Sequence, residues 1–271
     1  QPLSNTDSFI QKIGNSISGL VSTVTDSTVT DSTVTDSTAT DSPVIDRYID
    51  TLYPETNDPD FSIKIAKKKT TILFINDGST DNSQQIIEDI CQKNIEFRFI
   101  HFKGNKGLSA ALKAGFDNID TPLLGYIDAD LQTSPKDFNI LLNHTEHYDL
   151  VTGIRTQRKD SLIKKISSKI SNKIRTIFTN DGMEDSCCPL KIIKTDCAKK
   201  IPMFKGLHRF LPAMVLLQKG GVLQIPIQHF PRIAGKTKFG TRNRLLGPIT
   251  DCFAYLWMKK KYINYEVIKK G

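Results

Sequence analysis

From Thr70 onward the chain alternates short apolar runs with amphipathic stretches, a rhythm that few architectures satisfy. Residues 71–75 form an apolar run closed by Asn76-Asp77-Gly78-Ser79, a strand followed by a turn. The pattern predicts a helix over about 81–92, a strand over 96–102, a helix over 109–118 and a fully apolar strand over 123–127. Residues 149–154 read as a further strand and 161–178 as a long basic helix. Strands and helices joined this way imply the α/β class, with a mainly parallel sheet flanked by helices. In open sheets of this kind ligands sit beyond the carboxyl ends of the strands. Asp77 and Asp128 both fall there.

The first 69 residues differ in character. Phe9, Ile10, Ile13, Ile17 and Leu20 fall on one helical face, with Ser4, Asn5 or Thr6 available as caps, so a helix is expected within 1–23. Between Val24 and Ser42 a TDSTV-like unit repeats every five residues, with Asp26, Asp31, Asp36 and Asp41 in phase. Thr, Ser and Asp offer little apolar area to offset chain entropy, and a period of five fits neither helix nor strand. Disorder is therefore expected over this array, and residues 24–69 as a whole read as low-complexity repeat and linker. The folded domain is placed at 70–241, followed by an amphipathic basic helix and tail at 242–271.

Charge separates along the same boundary. Residues 1–60 carry ten acidic residues against Lys12 and Arg47, a net of −8, which leaves +16 on the remainder of a chain whose total is +8. A basic body of this kind suits anionic partners. Nucleic acid is not expected, because no nucleic-acid motif is present and aromatics are not interleaved with the basic runs. The five cysteines (91, 187, 188, 197 and 252) show no metal-ligand spacing and make a poor disulfide framework, which suits a reducing compartment. No apolar run approaches the roughly 18 to 20 residues needed to span a bilayer.

Three segments bring chemistry. Asp128-Ala129-Asp130-Leu131-Gln132 delivers two carboxylates and an amide from the end of an apolar strand, hard oxygen ligands suited to Mg²⁺ or Mn²⁺ held with a diphosphate. Taken alone, the triplet equally suits a solvated turn. In Asn76-Asp77-Gly78-Ser79-Thr80-Asp81, Gly78 permits a positive φ, Asp81 can cap the next helix, and Asp77 can accept hydrogen bonds from a base or ribose. In Asn105-Lys106-Gly107-Leu108-Ser109-Ala110-Ala111, small residues allow a helix to lie close on the sheet.

ILFINDGSTDNS, GNKGLSAALKAGF and GYIDADLQTSP, in this order and spacing, resemble glycosyltransferase family 2, whose sugar-nucleotide fold is GT-A. TGIRTQRKDS, SSKISN, DSCCPLKIIKTD, KGLHRFLPAMVL and HFPRIAGKTKFGTRNRLL are similar to its polyprenyl-phosphate branch, to which dolichol-phosphate mannosyltransferases belong. The match runs from residue 70 to about 258. The resemblance implies metal-dependent, inverting transfer of a sugar from a UDP- or GDP-linked donor to a polyprenyl phosphate. It implies nucleotide-sugar contacts at Asp77, Gly78, Ser79, Lys106, Gly107 and Asp128. Metal ligands would be Asp128, Asp130 and Gln132, and Asp130 and Asp185 would be the catalytic residues. Arg155, Ser168, Arg232 and Lys238 would contact phosphate. Asp185 either orients acceptor or sugar, or binds a neighbouring basic group.

The C-terminal segment fits a lipid acceptor. Leu245, Leu246, Ile249, Phe253, Leu256 and Trp257 cluster on a helical face between Arg242 and Arg244 and the run Lys259-Lys260-Lys261, a pattern for a helix at an anionic membrane surface. A helix packed on the core would show a similar stripe. Peripheral association with the cytoplasmic, inner face of the membrane is the expected localisation. One element of the family pattern is not read here: an opening strand with a Pro-x-x-x-Asn-Glu-like turn. It is expected upstream of Gln1, with the repeat as an insertion before the Asp77 strand. Without that strand the alternative is a degenerate, inactive family member that serves as a binding or scaffold protein. Cys187-Cys188 also stands where relatives usually carry Gly.

Overall fold

The computed structural model describes residues 17–28, 68–129, 132–156, 172–230, 241–265 and 268–269, with the backbone alone for 17–28 and 241–248. Seven strands form one sheet among these residues: β1 (Ile17–Thr28), β2 (Lys68–Asn76), β3 (Phe97–His101), β4 (Leu123–Ile127), β5 (Leu150–Arg155), β6 (Lys191–Lys194) and β7 (Val222–Ile227). Their order is β3-β2-β1-β4-β6-β5-β7. The helices are α1 (Ser83–Lys93), α2 (Leu108–Asp117), α3 (Phe138–Leu142), α4 (172–179), α5 (Thr195–Lys199), α6 (Leu211–Leu217) and α7 (Thr241–Lys261).

β1 and β6 are antiparallel to their neighbours, whereas β2–β3 and β5–β7 are parallel pairs. Tracing directions across the sheet, β2, β3, β4, β5 and β7 all point the same way. The expected direction therefore holds for five strands, and two run against it. The carboxyl ends of the five gather on one edge, together with the starts of β1 and β6.

Strands β4 and β6 show why the sheet sits at the centre. Every residue of β4 is buried, with Leu124 and Tyr126 on one face and Leu123 and Ile127 on the other. The first face packs with Leu73, Ile75 and Ile193 against α2, α6 and the Cys252–Tyr255 stretch of α7. The second packs with Ile192, Val151 and Ile227 against Leu141 and Leu142 of α3. A strand buried on both faces reads as a continuous apolar run, which is why residues 123–127 were legible.

The N-terminal expectation is corrected. Ile17 and Leu20 belong to a strand rather than a helix, and Val24–Thr28, expected to be disordered repeat, completes it. The physical reason is non-local. β2 and β4 lie too far apart in the sheet to pair, and buried N–H and C=O groups on their facing edges need partners. β1 supplies them to both, Ser22 lying opposite Ile72 and Gly125. Its sequence, rich in Val and Thr, suits a pleated strand. The helix expected over 7–16, the remaining repeat and most of the linker lie outside the described residues. Of the basic helix expected over 161–178, residues 172–179 are helical, and 161–171 lie outside.

Candidate active site at the carboxyl edge of the sheet

The turn after β2 is set by side-chain bonds to the backbone. Asn76 Oδ1 accepts from the Ser79 N–H (2.9 Å) and from Ser79 Oγ, and Asp81 Oδ1 accepts from the Ser83 N–H (3.0 Å) at the start of α1. Gly78 has φ +72°, and a Cβ there would lie 2.4 Å from the Gly104 carbonyl carbon. Only glycine fits that approach.

Asp77 is only 2% exposed. Its carboxylate accepts from Lys106 N–H (2.6 Å), Gly107 N–H (2.8 Å) and Asn105 Nδ2 (2.8 Å). Both oxygens therefore hold the 105–107 loop in place against the end of β2. Sequence alone suggested that Asp77 faces the nucleoside. In the structure the same carboxylate fixes the loop that carries the exposed Lys106.

Asp128 follows the last residue of β4 and is partly exposed, with the Tyr126 hydroxyl donating to its Oδ1. Gln132 is tied to the strand end after β7: Phe230 N–H donates to its carbonyl (2.9 Å), and its Nε2 donates to the Phe230 carbonyl (3.4 Å). Asp130 lies outside the described residues. Oxygen donors from a carboxylate and an amide are the chemistry Mg²⁺ or Mn²⁺ accepts, with remaining positions for phosphate oxygens and water. Among the described residues no group of three His, Cys, Asp or Glu side chains comes together as a metal site. Asp128 and Gln132 carry donors of this kind, and the two residues fit such a cation.

Across β6, Arg155 at the end of β5 forms a bidentate pair with Asp185: Nε to Oδ2 at 2.7 Å and a terminal nitrogen to Oδ1 at 2.8 Å. Burial opposes both charges, yet the Arg155 guanidinium holds the Asp185 carboxyl below the usual range, and Asp185 raises Arg155. Of the two readings open for Asp185, the structure realises binding to a basic neighbour. Two of the five guanidinium N–H groups are used, so Arg155 keeps donors for an anion. Lys191, at the start of β6, is buried and donates to the Cys188 carbonyl, and burial pushes its ammonium below the ordinary lysine value. Cys188 packs where Gly153 gives way: a Cβ on Gly153 would stand 2.9 Å from its sulfur. All five cysteines are free thiols.

Three residues had no local sequence signal. The buried Lys191 reads as an ordinary strand residue. Ser109 reads as a small helix residue, yet its Oγ lies 2.9 Å from His208 Nδ1. His208 itself, within KGLHRF, carries no spacing that marks it. Ser168, Arg232 and Lys238 lie outside the described residues. The structure thus brings together Asp77, Gly78, Ser79, Lys106, Gly107, Asp128, Gln132, Arg155 and Asp185 on one sheet edge.

The family model described as "Glycosyl transferase family 2" matches residues 60–201, just over half of the 271 residues. The dodecaprenyl-phosphate galacturonate synthase of Rhizobium johnstonii is 30% identical over 198 residues, covering 70% of this chain and 57% of the relative. The chain therefore spans little more than half the length of that relative. Among solved structures, glucosyl-3-phosphoglycerate synthase from Mycobacterium tuberculosis, in complex with Mn²⁺ and UDP-glucose, aligns with a TM-score of 0.48 at 13% identity, covering 71% of this chain and 68% of that one. On the family match, the motifs after β2 and β4 and the α/β sheet that carries them have a common explanation: the chain belongs to glycosyl transferase family 2.

Proposed function

We propose that this protein transfers a sugar from a UDP- or GDP-linked donor to a polyprenyl phosphate at the cytoplasmic face of a membrane. The observation that carries the reading is the meeting of three groups on one sheet edge: the Asp128 turn, the Asp77-held loop and the Arg155–Asp185 pair. Similarity to a dodecaprenyl-phosphate galacturonate synthase supports the acceptor class.

Asp128, Asp130 and Gln132 would hold Mg²⁺ or Mn²⁺, which neutralises charge on the departing diphosphate. Lys106 and Arg155 would add positive charge to the same anion, and Arg232, Lys238 and Ser168 would be further phosphate contacts. A phosphate oxygen of the acceptor attacks the anomeric carbon as the bond to the diphosphate oxygen breaks on the opposite face, so configuration inverts. The acceptor is largely ionised near neutral pH, given a second phosphate pKa near about 6, and needs no strong base. Asp185, neutralised by Arg155, fits a positioning role better than proton abstraction.

No described helix is long and apolar enough to cross a membrane. α7 instead presents Phe253 (59% exposed) and Trp257 (67%) beside Leu256, ahead of Lys259, Lys260 and Lys261. That face supports peripheral contact with anionic lipid. One observation favours a second reading as a non-catalytic binding protein: β1 runs against β2 and β4 at the centre of the sheet. The two separate in one assay. Purified protein is offered a panel of UDP- and GDP-sugars with polyprenyl phosphate and Mn²⁺. Metal-dependent labelled lipid supports the enzyme, and binding of a nucleotide without product from any donor supports the second reading.

A further inference from the structure

His208 has its ring fixed by hydrogen-bond counting. Ser109 Oγ accepts from the backbone N–H of Gly206 (3.1 Å) and of His208 (3.3 Å). With those N–H groups occupying its lone pairs, the hydroxyl proton is left for the third contact, His208 Nδ1 at 2.9 Å. Nδ1 is then the acceptor, and the proton of the neutral ring resides on Nε2. Burial first, then the nearby Arg209 and Lys191 charges, push the ring's pKa down to about 3, so this tautomer persists across the working pH range.

The residues on either side of His208 are themselves held in place. Ser109 lies in the first turn of α2, two residues beyond Gly107, whose N–H is bound by Asp77. Gly206, with φ +97°, packs so tightly on Asp251 of α7 that a Cβ would stand 2.3 Å from Oδ2. Arg209 donates to the same Asp251 at 3.0 Å. Nε2 lies on the opposite side of the ring from the Ser109 bond, and the residue is partly exposed. A neutral donor held this firmly, next to the loop that carries Lys106, suits a phosphate oxygen, which it can hydrogen-bond without first being protonated.

We propose that His208 is a substrate-binding residue whose Nε2–H donates to a phosphate oxygen of a bound substrate. The inference rests on the transferase reading above. Two phosphates share this chemistry, the donor diphosphate and the prenyl monophosphate, and the test separates them.

The test exploits two near-isosteres. A Gln amide nitrogen reaches about the Nε2 position, whereas Asn places its amide near Nδ1. Wild type, His208→Gln and His208→Asn, each checked for native thermal unfolding, are titrated with UDP or GDP plus Mn²⁺ and separately with a short prenyl monophosphate. They are also compared in transfer. In one arm His208→Asn is expected to weaken binding or raise KM roughly ten- to hundredfold, the range for a hydrogen bond to a charged group, with His208→Gln recovering most of it. The affected arm names the phosphate. Recovery by Asn rather than Gln would mean that only the Ser109 bond matters, and equal behaviour of all three would mean that the ring touches no substrate. Either overturns the inference while leaving wild-type transfer intact. A wild type that makes no lipid product and binds neither probe instead overturns the transferase reading and this inference with it.

Discussion

Asp185 sits with 9% of its side chain exposed against an Arg155 side chain that is 14% exposed. Removing one member of such a pair leaves the other charge stranded, at a cost of about 3–5 kcal/mol. Asp185→Ala is therefore expected to lower unfolding free energy by that order, read from urea titration. The pH dependence has a definite sign. The folded carboxyl titrates below its unfolded value of roughly 3.9, so its contribution is complete above that pH and is lost as pH falls through the lower folded value. Wild type should lose stability in that acid window more steeply than Asp185→Ala, and parallel curves would contradict the pairing. Asp77→Asn should act on the loop: an amide has one acceptor oxygen where three N–H groups now converge. A loss of about 1–3 kcal/mol is expected, with a raised KM for the nucleotide donor. The NDGS and GNKG motifs were legible as turns because their residue types dictate local bonds. The fact that one carboxylate joins them across 28 to 30 positions was not, since no local pattern encodes a loop's distant partner.

Among the elements, β1 is the informative one. Residues 9–20 offer apolar spacing that fits a helix, and the TDSTV array offers too little apolar surface to order itself. Both readings weigh the segment by itself. A central strand is stabilised by its neighbours, and β1 fills the gap between β2 and β4 along a register from Val24 opposite Thr70 and Leu123 to Leu20 opposite Phe74 and Ile127. Ser22→Pro removes an N–H from the middle of that ladder and is expected to cost about 3 kcal/mol. Amide exchange of Leu73, Phe74, Leu124 and Gly125 should accelerate with it. Unchanged protection would show that β1 does not hold this place. By contrast β4 was legible to the residue, because a strand buried on both faces needs only its own apolar run.

At the scale of the whole molecule, five strands deliver their carboxyl ends, and β6 its start, to the edge that carries Asp128, while α7 carries exposed apolar side chains beside a lysine run. Trp257 is the single tryptophan, so its emission reports directly on that face. Anionic vesicles should shift it to the blue, neutral vesicles much less, and salt should reverse part of the effect, each lysine near the surface being worth about 1 kcal/mol. Phe253→Asp with Leu256→Asp should abolish the shift while leaving nucleotide binding unchanged. The charge split and the amphipathic stripe made this surface legible, whereas the inner face of the same helix, where Cys252 and Tyr255 are buried, depends on packing that spacing alone does not reveal.

The central claim is that this edge moves a sugar from a nucleotide to a polyprenyl phosphate in one displacement. The direct measurement is the anomeric configuration of the lipid-linked sugar formed by the wild-type chain, alongside yields from Asp128→Ala and Asp130→Ala. A prenyl-phosphate product of inverted configuration is expected, which both substitutions reduce by roughly a hundredfold or more, the scale on which losing electrostatic stabilisation of a departing group is felt. A product of retained configuration, or equal yields from wild type and the two variants, would contradict the claim.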